Sequence, residues 1–220
     1  MFIKKFNKGY FLRFRHDKST REWQLFYQEQ ISQLQKYLGG GIEICDVGCG
    51  LGSFLEICDK AGWFTYGIDI SEYAIEEAKK ARRTKAKLAV HDIQDGIPFE
   101  EELDVITCFD VVEHLENPEK ALTNIYLKLK KGGILLLTTP NLRSRVWKRI
   151  SGWQQDETHI SLKKPEEWKK SLDGIGFRVI SLRTGFPILE HKGGVKALAG
   201  KLLAKFGFGS TLLILAMKER

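Results

Sequence analysis

The residues best suited to chemistry are three aspartates and two histidines set at turns of the chain. The strongest local signal is Asp46-Val47-Gly48-Cys49-Gly50-Leu51-Gly52. It follows an apolar run and precedes a helical pattern, which is the context of a nucleotide-cofactor turn. The glycines let the backbone turn sharply and let a ligand approach the main chain. A dinucleotide fingerprint would read G-x-G-x-x-G, with a pyrophosphate on the helix N-terminus. Here the spacing is G-x-G-x-G, and Asp46 stands two residues before the first glycine. A carboxylate there suits an ammonium group better than a pyrophosphate, which opposes a nicotinamide dinucleotide.

Two further acids fall at matching places. Asp69, in Gly67-Ile68-Asp69-Ile70, closes an apolar run and could accept from both hydroxyls of a ribose. Asp92, in His91-Asp92-Ile93, could accept from an exocyclic adenine amine while the Ile93 N–H meets a ring nitrogen. Each acid alone is an ordinary cap or turn residue. Together, beside the glycine turn, they argue for a site. His114, in Glu113-His114-Leu115, and His159, in Thr158-His159-Ile160, are the candidate general bases. Histidine titrates near pH 6.5 unperturbed, so a modest shift makes it a usable base. For His114 a loop-fixing role is an equal reading. Asp110, Glu113, His114 and His159 also form an oxygen and nitrogen set that could hold magnesium, manganese or a similar ion. No metal is assigned on that ground.

The elements that would position these residues alternate along the chain. Strands are expected at Ile42–Val47, Trp63–Ile70, Leu88–His91, Leu103–Phe109, Ile134–Thr138, Phe177–Leu182 and Thr211–Met217. Helices are expected at Glu22–Leu38, from Ser53 to Lys60, after Ser71, from Asn117-Pro118 to a stop at Gly132-Gly133, at Pro165–Leu172 and at Val195–Phe206. Such alternation implies a mostly parallel sheet with helices on both faces. In the first helix Trp23, Tyr27, Ile31, Leu34 and Leu38 share a face, predicting a helix laid over the sheet or the site's mouth.

The 220 residues, 43% hydrophobic and 29% charged, bound the class. They suit a globular fold rather than wholesale disorder. No uncharged apolar run approaches the roughly 20 residues of a membrane span, and no apolar stretch follows the basic start as in a secretion signal. Four cysteines without a C-x-x-C pair argue against a disulfide scaffold or zinc site. A reducing, cytoplasmic setting is therefore expected. The net charge of +7 divides into +5 over residues 1–40, −7 over 41–140 and +9 over 141–220. Basic flanks around an acidic centre suit an anionic acceptor, a membrane surface or nucleic acid, or simply solvate the fold.

From about Gly40 to Arg183, and more loosely beyond, the chain resembles the class I S-adenosylmethionine-dependent methyltransferases. The motifs are DVGCGLG, GIDIS and HDI, followed by the long run from Asp104 to Asn141. The branch it most resembles includes the ubiquinone-biosynthesis O-methyltransferases. The resemblance implies an α/β, Rossmann-like, seven-stranded sheet whose last strand is antiparallel and lies between the fifth and sixth. It implies a methyltransferase domain over 41–220, and the basic segment and helix of residues 1–40 are expected to cap it. It implies that Gly48, Gly50 and Gly52 line the methionine and ribose parts of S-adenosylmethionine, and that Asp46 orients the amino group. Asp69 with Ile70 would bind the ribose, Asp92 with Ile93 the adenine, and Phe109 and Asp110 would flank the methionine end.

The acceptor is less legible. A small-molecule, lipid-like or glycan-precursor acceptor, methylated at oxygen, is the expectation. The alternative is a non-catalytic S-adenosylmethionine-binding regulatory or partner subunit. The first fifteen residues interleave aromatic and basic side chains, and Val195, Leu198, Leu202 and Phe206 share one side of a lysine-bearing helix. Either segment could meet an anionic membrane, pack on the sheet, or form a homodimer contact. No RNA-binding module is recognisable, so nucleic acid is disfavoured.

Overall fold

The computed structural model describes residues 6–13, 20–81, 84–144, 156–187 and 189–219. Seven strands form one sheet: β1 (Glu43–Val47), β2 (Phe64–Asp69), β3 (Lys87–Val90), β4 (Leu103–Phe109), β5 (Leu129–Pro140), β6 (Phe177–Gly185) and β7 (Thr211–Lys218). Their order is β3-β2-β1-β4-β5-β7-β6. The first five pair in parallel, and β7 runs antiparallel to both β5 and β6. This is the expected Rossmann-like sheet, with its final strand inserted where the resemblance implied.

The described helices are α1 (Lys8–Arg13), α2 (Arg21–Leu34), α3 (Ser53–Lys60), α4 (Glu72–Ala81), α5 (Pro118–Lys128), α6 (Pro165–Ile175) and α7 (Gly194–Lys205). Alternation along the strands sends successive side chains to opposite faces. On one face Val47, Ile106, Cys108 and Leu135 meet Leu122 and Ile125 of α5 and Trp168 of α6. On the other, Ile44, Val105 and Leu136 meet Phe26 and Leu34 of α2 and Phe54 of α3. Each such fully buried side chain contributes about 1.5–3 kcal/mol. Both faces of the central strands are thus covered, as a parallel sheet requires. Among the described residues no helix is long and apolar enough to cross a membrane.

Local signals explain most boundaries. Asn117 caps α5 by accepting from the Lys120 N–H at 2.9 Å, with Pro118 in the first turn. Ser71 caps α4, its hydroxyl accepting from the Ala74 N–H. Two expectations are corrected. Helix α2 stops at Leu34 rather than Leu38. The Gly132-Gly133 pair does not end α5, which stops at Lys128; it lies inside β5. A Cβ at Gly133 would sit 2.8 Å from the Lys130 carbonyl oxygen and 3.2 Å from that of Leu103, so glycine there permits close backbone approach beside the irregular β4–β5 register.

Candidate active site

The carboxyl ends of β1, β2 and β4 open into a cavity of about 670 Å³. Open α/β sheets bind ligands at this edge, where the strand order reverses. Asp46, Asp69 and Asp92 reach it from three successive strand ends, and all three line it. Asp46 is buried and accepts a 2.6 Å hydrogen bond from the Thr107 hydroxyl on β4.

Asp69 organises the glycine turn. Its Oδ2 accepts from the Gly50 N–H at 2.9 Å, and its Oδ1 accepts from the Ser71 N–H at 2.8 Å. Burial raises its carboxyl above the ordinary range, while the two N–H donors pull it back down. Gly48 and Gly50 both have positive φ, 73° and 52°, a region that glycine enters freely. A Cβ at Gly48 would lie 2.3 Å from Val111 Cγ2, so no larger residue fits there without movement. Replacing Asp69 by Asn should weaken S-adenosylmethionine binding about 10- to 100-fold. The amide would present its NH2 to one of the two backbone donors and carry no charge. Calorimetric titration checks this, and unchanged affinity would remove Asp69 from the binding site.

In the same cavity Glu113, His114 and His159 converge. One ligand-type atom from each lies within 4.8 Å of the others. The two imidazoles are 4.8 Å apart between ring centroids. His114 Nδ1 is 3.2 Å from the Thr158 carbonyl oxygen and 2.8 Å from the Thr158 hydroxyl. A carbonyl only accepts, so Nδ1 carries the proton and Nε2 keeps the basic lone pair. The Thr158 hydroxyl in turn donates to Asp156. Despite partial burial, Asp156 is held below the ordinary carboxylate range by the Thr158 donors and the nearby histidines. His159 Nε2 stands 3.8 Å from Asp156 Oδ2, and the Tyr10 hydroxyl donates to the same oxygen.

Burial and the charge of His159 push His114 down to about 4, against the opposing pull of Asp156, Thr158 and Asp110. The sign follows directly. The unfolded chain takes up this proton near pH 6.5 and the folded one only near 4, so stability is full above 6.5 and falls as pH drops through that window. For the metal-free protein the contribution is on the order of 3 kcal/mol. Comparing melting curves of the wild type and His114→Gln from pH 7 to 4 checks it. The variant should lose less stability, and parallel pH profiles would contradict the depressed His114.

Of the predicted cofactor residues, Asp46, Gly48, Gly50, Asp69, Ile70, Asp92, Ile93, Phe109 and Asp110 share this cavity, and so do His114 and His159. Gly52 does not. It is the left-handed residue that turns the chain into α3, and its Cβ position faces Thr84 and Ala78 rather than the cavity. Asp92 is both a wall residue and the cap of the 3-10 turn Ile93–Asp95, accepting from the Gln94 N–H at 2.8 Å. Asp110 lines the cavity but is not one of the three clustered ligand-type residues. It is the non-glycine residue with positive φ among those described, at 57°, and it exchanges hydrogen bonds with Thr138 on β5.

Further wall residues are Phe6, Tyr10 and Phe11 from the N-terminal segment and Tyr27 from α2, within the region expected to cap the site, and Ser210 and Thr211 at the entry to β7, which were not anticipated. The Phe6 carbonyl accepts from the Ser71 hydroxyl, and the Phe6 ring meets His114 edge-on. Interleaved aromatics were visible in the sequence, but not the surface they cover. Residues 1–5 and 14–15 of that interleaved stretch lie outside the described residues.

A family profile described as a methyltransferase domain matches residues 15–182. The chain belongs to this family. Among curated relatives, the Ubiquinone biosynthesis O-methyltransferase of Coxiella burnetii is 32% identical over 104 residues, covering 46% of this chain and 44% of that protein. The chain therefore spans less than half the length of that relative. Among solved structures, the methyltransferase in complex with the Haloferax volcanii Trm112 methyltransferase activator superposes with a TM-score of 0.71 at 17% identity, over 89% of this chain and 90% of that one. Magnesium protoporphyrin IX methyltransferase from Synechocystis PCC 6803 with bound S-adenosylhomocysteine gives 0.68 at 20% identity, over 98% and 97%. The methyltransferase family uses S-adenosylmethionine as its donor, and the cavity's donor set suits that molecule. Asp46, Asp69 and Asp92 line the cavity, and a Cβ at Gly50 would meet only Phe11 within 4 Å, so the glycine turn leaves room beside the main chain.

Proposed function

We propose that this methyltransferase domain transfers a methyl group from S-adenosylmethionine to an oxygen of a small-molecule, lipid-like or glycan-precursor acceptor bound against His114 and His159. One observation carries the reading. A single cavity joins the three-acid, glycine-turn wall to a buried polar wall of Glu113, His114 and His159. The name of the Coxiella burnetii relative supports oxygen as the acceptor atom.

Bound S-adenosylmethionine supplies a methyl that is already electrophilic, so the protein's work is alignment and exclusion of water. The turn at Gly48 and Gly50, with Asp69 behind it, fixes one reactant. Phe6, Tyr10 and Phe11 line the cavity, and their apolar rings would help to exclude water from it. The acceptor's proton needs a base. His114, held down near 4, stays neutral at physiological pH and offers Nε2 as a hydrogen-bond acceptor. His159, whose Nε2 stands 3.8 Å from the Asp156 carboxylate, is the proposed proton acceptor.

Glu113, His114 and His159 also fit a divalent ion, with one oxygen and two nitrogen donors already gathered. An ion held there would lower an acceptor hydroxyl's pKa and orient it.

The test is an acceptor screen over phenols, catechols, lipids and sugars, read by S-adenosylhomocysteine release and a one-methyl mass gain on a hydroxyl. It is run before and after exhaustive chelation. Transfer that survives chelation unchanged eliminates the ion. A protein that binds S-adenosylmethionine tightly yet releases no product with any acceptor class favours the regulatory-subunit reading. The methyltransferase solved in complex with the Haloferax volcanii Trm112 activator supports that alternative.

A further inference from the structure

Helix α7 shows an inverted arrangement. Amphipathic helices ordinarily turn their large apolar side chains to the core. Here the only fully buried residue of the helix is Gly200, with Ala197 and Ala204 partly covered beside it. Gly200 lies against Leu189 and Glu190, and the Ala204 carbonyl accepts from the Thr184 hydroxyl on β6. The small residues dock the helix. Its large ones face solvent: Val195 is 84% exposed, Leu198 60% and Phe206 73%, with Leu202 and Leu203 also exposed.

The charges complete the pattern. At 100° per residue, Lys196, Lys201 and Lys205 fall on the flanks between the docked stripe and the apolar one. Lys192 precedes the helix, and residues 191–210 contain four lysines and no acid. Protein interfaces are depleted of lysine and enriched in arginine, tyrosine and tryptophan; this helix has none of those three. Leucine and phenylalanine outward, with lysines at the border, is the composition of a helix lying in a lipid headgroup region. Exposed Phe208 follows, in the same stretch as Ser210 of the cavity wall. Asn141, just beyond β5, donates to the carbonyls of Gly207 and Gly209 and ties this stretch to the sheet edge that bears the cavity.

We propose that the outward face of α7, with Phe206 and Phe208, seats the protein on an anionic lipid bilayer. The lysines meet the headgroups and the apolar side chains enter the acyl boundary. The inference rests on side-chain exposure and charge, and stands whether or not the acceptor is a lipid.

The experiment is flotation of the full chain with vesicles of pure phosphatidylcholine and with equal parts of phosphatidylcholine and phosphatidylglycerol. Bound protein should rise at least about tenfold on the anionic vesicles. The double variant Leu198→Glu, Leu202→Glu should lose that binding. A triple variant Lys196, Lys201 and Lys205→Gln should weaken it about tenfold or more, whereas Lys36, Lys79 and Lys131→Gln should leave it near wild type. All these positions are exposed, and S-adenosylmethionine titration reports that each variant is folded. Equal weakening by both lysine triples would reduce the binding to net charge and overturn the proposal. So would wild-type flotation that ignores the double variant. Failure to float, with a dimer that Leu198→Glu, Leu202→Glu converts to a monomer, would assign the face to a second copy instead.

Discussion

Gly50→Val is expected to weaken S-adenosylmethionine binding by at least about 100-fold in a protein that still folds, from two causes that add. Gly50 has a φ of 52°, and a β-branched residue there costs about 1–3 kcal/mol. The second cause is space. A Cβ at Gly50 would meet only the Phe11 ring within 4 Å, at 3.7 Å. The protein itself has room for a side chain, so the added bulk would occupy cavity space beside the turn, where the donor is proposed to bind. Gly50 is also the residue whose N–H is fixed by Asp69, so its displacement disturbs the acid on the next strand. Titration calorimetry measures the loss, and far-ultraviolet circular dichroism with a melting curve measures the fold. Gly50→Ala should fall between the two proteins. A folded valine variant with wild-type affinity would remove the turn from the binding site.

His159→Ala is expected to slow methyl transfer about 100-fold or more, the ordinary size of a lost general base. Affinity for S-adenosylmethionine should stay within about twofold, because the proposed donor contacts are made by the three carboxylates and the glycine turn and not by His159. Once an acceptor is in hand, single-turnover rates and calorimetry separate the two quantities. Added imidazole should restore part of the rate to His159→Ala if the residue moves a proton. A variant that loses donor affinity but transfers normally when saturated would put His159 on the donor side.

How much of this was legible follows from which signals are local. Helix α3 and strand β4 have the bounds read from the sequence, because a turn or a cap marks each end within a few residues. The three cavity aspartates were legible for the same reason, each closing an apolar run. Gly132-Gly133 was not, since glycine ends helices and also allows close backbone approach, and only β4 beside it decides between them. Gly52 shares a motif with Gly50 but faces α4, a contact absent from the motif's own spacing. Thr158, which fixes the tautomer of His114, acts across 44 residues of chain, and Tyr10 reaches Asp156 across 146. For α7, periodicity located an apolar side but carried nothing about which way it looks. Tertiary packing decides that, and here it selects the small residues.

The insertion of β7 between β5 and β6 has a consequence for how the protein is made. Neither β5 nor β6 has the other as a partner; each pairs with β7. During synthesis the first five strands can form a parallel sheet, with β5 as an open edge of apolar residues Ile134 to Leu137. Exposed apolar edges of this kind template aggregation. The edge stays open until residues 211–218 have left the ribosome, at about 5–20 residues per second. Strand β6 waits with it. The nascent chain is therefore most vulnerable after the glycine turn and the three aspartates have been translated and before its sheet can close.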